Sequence, residues 1–554
     1  MKKNNLYPIS LFFLFFSILF PSQVTINYQL KFANGLVGES NYLENYLNYN
    51  YFFDNGLYLY TQLEFSSPPL IGEDVSMKTF GEYSVPFPSI NMFYLEYSGE
   101  NYDLVVGDLN LLYGRGLSMH TFEDQGIDYN NTLIGLEYTR YIKDNFDMFV
   151  FIGKNNFKSR INPGNKLSDL SIKNNVFSFG GNLFYKDINI HYINLIYLQE
   201  YDYLDIYNMM SLSNSLGEYL HSRQNFIITN QPRFDMKNIE HNIGVDFSFK
   251  NIDFYLERSV IYYNKVLGER VSGYRQYGSM YFNLYDTDFF MEYKNYNAPF
   301  LYSVFSNPPL GFRESSSILS SRNLHSINFN NEYGYQLEIN RQLNNSLNLL
   351  VSYAFGLHHV EGVSGPTIDR REYFPFAQFS SLDKFEDFEP FKQVYFELNG
   401  WNANEQLYYK FGYDRFYEIT ELKTIDAVTT PMQFSYKLKN SNSLTFYLEV
   451  QSKKEISTVP NDLGVFVDVV DKKDFIYFSP SYNHFGKWSL TLFFDHEESK
   501  KTWRGLDYTL NMQSSSKISF FYGSQKGGLV CANGACVQQP DFEKGLKITF
   551  LKSF

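Results

Sequence analysis

The chain of 554 residues has only 2 Cys and 3 Trp. Beyond its N-terminus it also lacks any apolar run near the ~20 residues that a membrane helix needs. A helical membrane protein is thereby excluded. Positive charge is in short supply too: 47 Lys and Arg stand against 60 Asp and Glu, for a net charge of −13 with no basic cluster. Such a chain is a poor partner for nucleic acid. No cysteine follows the N-terminal apolar stretch where a lipoprotein would carry one.

What the chain has in excess is aromatic: 48 Tyr and 55 Phe bring the aromatic share to 19%. Mean hydropathy is nevertheless −0.32, so polar residues dilute the apolar ones almost everywhere. Strands with one apolar and one polar face satisfy both facts. Soluble all-β proteins share that composition, so the decision rests on how the pattern is laid out.

The N-terminus points to export. Lys2 and Lys3 precede the run Leu11-Phe12-Phe13-Leu14-Phe15-Phe16, which continues to Phe20 and gives way to Pro21-Ser22-Gln23. This is the layout of a secretory signal peptide over residues 1–22, and a retained anchor would need a longer span. Phe20 is larger than the side chain usually preferred near the cleavage site. The mature part, residues 23–554, is expected to be one domain.

From Val24 onward a single pattern recurs. Trp488, Leu490, Leu492 and Phe494 alternate with Ser489, Thr491, Phe493 and Asp495. Leu444, Phe446, Leu448 and Val450 alternate with Thr445, Tyr447, Glu449 and Gln451, and Leu407 to Asp414 repeat the scheme. Alternation over about nine to eleven residues is the length of a tilted strand crossing hydrocarbon. Eleven short polar turns punctuate the chain, among them Asp54-Asn55-Gly56, Lys143-Asp144-Asn145, Lys186-Asp187, Lys250-Asn251 and Phe485-Gly486-Lys487. Between them lie longer connections: 68–88, 113–131, 156–175, 200–237, 297–325, 359–390 and 454–472. Short and long alternate, as periplasmic turns and extracellular loops do in outer-membrane barrels. A soluble sandwich or propeller has no reason to sort its loops this way. The expectation is an all-β fold: one large antiparallel transmembrane β-barrel of about 24 strands (20 to 26), in the outer membrane of a Gram-negative bacterium. Strand patterning from Val24 leaves no separate plug ahead of the barrel.

The C-terminus fits this fold. Gly545, Ile548, Phe550 and the final Phe554 form a terminal-strand pattern of the kind that the barrel-assembly machinery recognises. Outer-membrane lipid and lipopolysaccharide are the other expected partners, together with a periplasmic or surface protein.

Two local motifs stand out. In Cys531-Ala532-Asn533-Gly534-Ala535-Cys536, Asn-Gly favours a two-residue hairpin turn. Ala532 then faces Ala535, and Cys531 faces Cys536 at a spacing that permits a disulfide. A redox or metal role is the alternative, with no histidine alongside to favour it. The second motif is Val106-Gly107-Asp108 through Tyr113-Gly114-Arg115-Gly116-Leu117. It has no Lys-Ser/Thr to make a phosphate loop, and Gly114 and Gly116 permit tight backbone approach. The preferred reading is a segment folded into the lumen, held by Arg115 and an acidic partner, with ligand binding as the alternative. These two motifs, together with the strand ending at Phe554, resemble an uncharacterised family of large bacterial outer-membrane barrels, known as domains of unknown function. The resemblance implies location and fold, and transfers no activity, cofactor or binding residue.

No catalytic grouping emerges. His358-His359 point to opposite faces of a strand and make a poor pair of metal ligands. His496 beside Asp495 reads as a solvated rim residue. The acidic run Asp383, Glu386, Asp387 and Glu389 could bind Ca²⁺, but it lacks the spacing of an EF-hand loop. The leading function is porin-like passage of small solutes, since barrels of 16 to 18 strands already leave a channel. The alternative is a structural barrel of a secretion or surface-display assembly with no open pore. A barrel enzyme comes third, and neither cofactor nor metal is expected.

Overall fold

A computed structural model describes residues 23–35, 42–67, 89–124, 129–159, 170–202, 233–266, 269–298, 304–309, 311–313, 317–323, 325, 331–358, 390–420, 423–460, 466–498, 501–512, 515–532, 535–539 and 541–554. Residues 1–22, expected to be a signal peptide, His359 and the acidic run from Asp383 to Glu389 lie outside the described residues.

Alternating apolar and polar residues fold here into a single 24-stranded antiparallel sheet in which every strand pairs with two neighbours. Closure comes from the ends of the chain. The last strand, Phe542–Ser553, pairs with the first, Gln23–Gly35, from Asn27 opposite Ser553 to Gly35 opposite Gly545. The Phe554 amide then donates to the Ile26 carbonyl at 2.8 Å. No wall edge is left to seek hydrogen bonds, which is the condition for spanning hydrocarbon with strands.

Burial is inverted relative to a soluble protein. Leu492, Phe446, Val450, Phe411 and Tyr413 are exposed, whereas Asp495, Glu449 and Asp414, on the opposite faces of the same strands, are buried. The apolar face therefore looks outward and the polar face inward. Beside the short turns the exposed residues become aromatic: Tyr141, Tyr185, Phe249, Tyr285, Tyr436 and Phe485. That is the girdle expected where a barrel leaves the hydrocarbon. One stretch breaks the pattern. Arg258, Gln276 and Asn295 form a cross-strand row on the outer face, with the Arg258 guanidinium 5.9 Å from the centre of the Tyr274 ring. A charge facing lipid is costly, and the ring offsets part of that cost.

The short turns fall where the sequence puts them, to within a residue: Phe52 and Leu57 flank Asp54-Asn55-Gly56, and Tyr185 and Ile188 flank Lys186-Asp187. The other side departs from expectation. Connections 267–268 and 421–422 are as short as the turns, and strand takes up half of the supposed loop 156–175 and most of 454–472. Ser443–Pro460 and Phe466–His484 run for 18 and 19 residues. Their outer ends carry charged residues on both faces, which in sequence is indistinguishable from a loop.

Two rows of glycines cross the wall. Gly107, Gly135 and Gly153 are cross-strand partners. So are Gly35, Gly545, Gly523 and Gly505. Gly545 thus lies inside a structural row as well as in the C-terminal pattern. A Cβ on Gly135 would fall 2.1 Å from the Ile152 carbonyl oxygen, so the strands approach only because both rows lack side chains. Gly135→Val is expected to cost about 3 kcal/mol or more. Folded and boiled samples compared by gel migration would show it, as a smaller folded fraction and a lower urea midpoint.

Candidate functional site in the barrel lumen

The lumen is occupied by two segments that leave the wall and return to it. The first begins after the strand Tyr102–Leu109 and ends at the strand Leu133–Lys143. Leu109 and Leu133 are themselves cross-strand partners, so the whole of 110–132 is an insertion into an unbroken ladder. Within it Leu112–Tyr113 pairs with Met119–His120, and Glu123–Asp124 with Tyr129–Asn130. Residues 125–128 lie outside the described part.

Its tip is Gly114-Arg115-Gly116, with φ of +60° and +79° at the two glycines. A Cβ on Gly114 would lie 2.6 Å from both Glu257 Oε1 and His191 Nε2, so only glycine lets the tip reach the wall. The Arg115 backbone amide donates to Glu257 Oε2 at 2.9 Å, while its guanidinium lies 4.9 Å from the centre of the Tyr255 ring. Glu257 is the acidic partner at the tip, and the main chain makes that contact. Asn242 Nδ2 links Glu257 Oε1 and Ser118 Oγ, at 2.7 Å each. Arg275, fully buried, donates to the Leu117 carbonyl at 3.0 Å. An apolar cluster backs this up: Met119 and Leu111 of the insertion pack with Phe149, Phe151, Ile193 and Leu195 of the wall. These wall strands are apolar on both faces, which marks the docking area.

The second segment lies between the strands Thr287–Asn297 and Asn331–Asn344. It carries one turn of helix, Ile318–Ser321, capped by Ser317. Glu449 on the wall accepts from the Ile318 and Leu319 amides at 2.7 and 2.6 Å and from Ser317 Oγ at 2.7 Å. A buried carboxylate receiving these three donors and the Tyr447 hydroxyl makes strong, charge-assisted bonds. Gln451 Nε2 donates to the Leu319 carbonyl at 3.0 Å, and Arg322 pairs with Asp495.

The two segments also join each other. The Asn307 amide donates to the Gly116 carbonyl at 3.1 Å, and the His120 amide to the Phe305 carbonyl at 2.6 Å. Asn131 Nδ2 reaches the Val304 carbonyl at 2.8 Å. Together they form one body inside the barrel, fastened to Glu257 on one wall and to Glu449 and Asp495 on another.

A third fastening is ionic. His325 sets Nδ1 2.5 Å from Glu418 Oε1 and Nε2 3.1 Å from Glu332 Oε1, and Lys294 pairs with Glu332. The ligand atoms of His325, Glu332 and His358 lie within 4.8 Å of one another, a grouping that could suit a metal ion. Charge argues otherwise, because an ammonium and an imidazolium already balance the two carboxylates. Of the pair His358-His359, His358 is the one described, and it lies in this group. Its partners His325 and Glu332 were invisible in sequence, since no spacing links a loop histidine to two separate strands. His496 and Asp495 do not act together: Asp495 pairs inward with Arg322, and His496 Nδ1 lies 2.9 Å from Thr502 Oγ1.

Cys531 and Cys536 are backbone partners in the hairpin Gly528–Ala532/Ala535–Gln539, with Ala532 opposite Ala535. Their side chains lie outside the described residues.

Burial alone would depress the His325 imidazole, but Glu332 and Glu418 outweigh it and push the group up to about 9. The ordinary value is about 6.5. The ionic fastening therefore contributes fully below about pH 6.5 and is lost as pH rises through about 9. Bilayer conductance is expected to become noisier between pH 7 and pH 10 as the second segment loosens. His325→Gln should show that noise at every pH.

No curated protein matches the chain. Among solved structures it is similar to the siderophore receptor PirA from Pseudomonas aeruginosa, with 6% identity and a TM-score of 0.46 over 96% of this chain and 81% of that one. It is similar to the FrpB iron transporter from Neisseria meningitidis, at 7% identity and a TM-score of 0.41 over 96% and 82%. The P pilus usher PapC translocation pore gives 8% and 0.40 over 96% and 99%. Likenesses this distant concern the fold alone. The sequence itself is more specific: residues 34–554 match the family of unknown function DUF6029, and the chain belongs to that family.

Proposed function

We propose that this protein is an outer-membrane barrel that passes small solutes through a lumen kept shut by its own inserted segments. It would be a gated conduit in place of the permanently open porin that strand number alone suggests. The observation that carries this reading is the direct joining of the two segments across the lumen, each fastened by a buried wall carboxylate. Apolar packing seats the segments, and hydrogen bonds and ion pairs at a few points fix them, which a ligand or partner can replace. Location in the outer membrane is supported by the outward apolar face, the aromatic girdle beside the turns and the closed wall. On this reading the turns are periplasmic and residues 1–22 are the export leader. Gly545, Ile548, Phe550 and Phe554 serve the barrel-assembly machinery. An excess of carboxylates favours cations in the opened lumen.

Planar-bilayer conductance of the refolded protein tests this directly. The wild type is expected to be closed or nearly so. Glu257→Gln with Glu449→Gln leaves charge-assisted bonds unmade at about 1–3 kcal/mol per buried group, and should give long-lived openings that favour cations. If the doubly substituted barrel folds and still never conducts, the conduit reading fails and the structural-barrel alternative replaces it. A separate expectation concerns Cys531 and Cys536: in protein from the native compartment they form a disulfide. Intact mass before and after reduction would detect it, and free thiols in oxidised, exported protein would refute it.

A further inference from the structure

The outer wall has a concavity of about 640 Å³ on its loop side. It spans the strands Leu133–Lys143, Phe146–Ser159, Leu170–Tyr185 and Ile188–Asp202 and reaches Arg233–Phe249. Gly135 and Gly153, cross-strand partners, form part of its lining. The absence of side chains along this row thus helps to hollow the wall. Leu136, Ile152, Phe177 and Ile196 make one continuous cross-strand row along the trough. Ile152 is 58% exposed, which no water-facing trough would favour.

One step toward the loops the chemistry changes. Lys154, Asn175, Leu198 and Lys237 form the next cross-strand row. Both lysines are exposed on the outer face, and among the described residues neither ammonium has an ion-pair partner. The next cross-strand row holds Lys173, Glu200 and Asp235, so three lysines stand against two acidic residues at this rim. Two ammonium groups with no ion-pair partner among the described residues therefore flank the rim of an apolar trough. Ammonium groups recognise phosphate as compact point charges, and the trough suits an acyl chain. A sugar or a peptide would use the rim and leave the trough in contact with bulk lipid. An amphiphile with a phosphorylated head uses both.

We propose that this groove binds lipid A, the phosphorylated, multiply acylated lipid of the outer leaflet. A phosphate sits between Lys154 and Lys237, and an acyl chain lies along Leu136, Ile152, Phe177 and Ile196. The inference rests on the reading above that the loop side is external. It goes beyond that reading by assigning a lipid and the residues that select it.

Native mass spectrometry of the full-length barrel in detergent with EDTA tests it, using lipid A, dephosphorylated lipid A and phosphatidylglycerol as probes. Lipid A is expected to stay bound and the other two to bind weakly. Lys154→Gln with Lys237→Gln should weaken lipid A binding about twenty-five-fold, at about fivefold per lysine. Lys186→Gln with Lys250→Gln, at the opposite rim, should bind as the wild type does. The proposal is overturned if the Lys154/Lys237 variant retains full binding, or if the opposite-rim variant loses as much. Equally tight binding of phosphatidylglycerol would also overturn it. Gel migration of unboiled aliquots separates the two levels. Absence of a folded band sinks the barrel reading, whereas a folded barrel indifferent to lipid A sinks this inference alone.

Discussion

Hydrocarbon offers no hydrogen-bond partner, so every amide and carbonyl of a spanning wall must be satisfied by a neighbouring strand. In this protein that demand reaches the chain termini, where the Phe554 amide bonds to the Ile26 carbonyl. It also governs the insertions. The ladder passes directly from Leu109 to Leu133, and from Gln525 to Phe542 past the cysteine hairpin. The wall concedes nothing to what hangs from it. Freed from holding the barrel together, the inserted segments rest on apolar packing and a few polar contacts. Glu257 and Glu449 are the clearest of these, each buried and each receiving backbone amides from a segment that spans nothing.

The architecture was legible because it is periodic. A side chain every second residue and a polar turn at alternate reversals survive in a bare sequence, and the eleven turns joined all but the first and last strands in pairs. Legibility stopped where periodicity stopped carrying information. Above the belt, strands such as Phe466–His484 turn polar on both faces and imitate loops, so loop lengths were overestimated. Inside the barrel, Phe149, Phe151, Ile193 and Leu195 are apolar where a lumen-facing residue should be polar. That departure was present in the sequence, and it is the signal that could have located the docking area of the inserted segment.

The candidate site was legible by halves. Gly114-Arg115-Gly116 stood out because paired glycines around a charged residue are expensive unless a close approach requires them, and its lumenal placement follows. That the Arg115 amide makes the contact with Glu257 could not be foreseen, because sequence patterns describe side chains and are silent about main-chain donors. The cluster of His325, Glu332, Glu418 and Lys294 left no trace at all. Its members come from three strands and one insertion, and only the closed barrel brings them together.

Because Leu109 and Leu133 are already partners in the ladder, residues 110–132 can change in length or content without shifting the register of any strand. The barrel is then a socket and the insertion a cartridge. Selection can rewrite what the lumen admits while the lipid-facing wall drifts under quite different rules. Within such a lineage, divergence would concentrate in the inserts, and the glycine rows would record the shared frame.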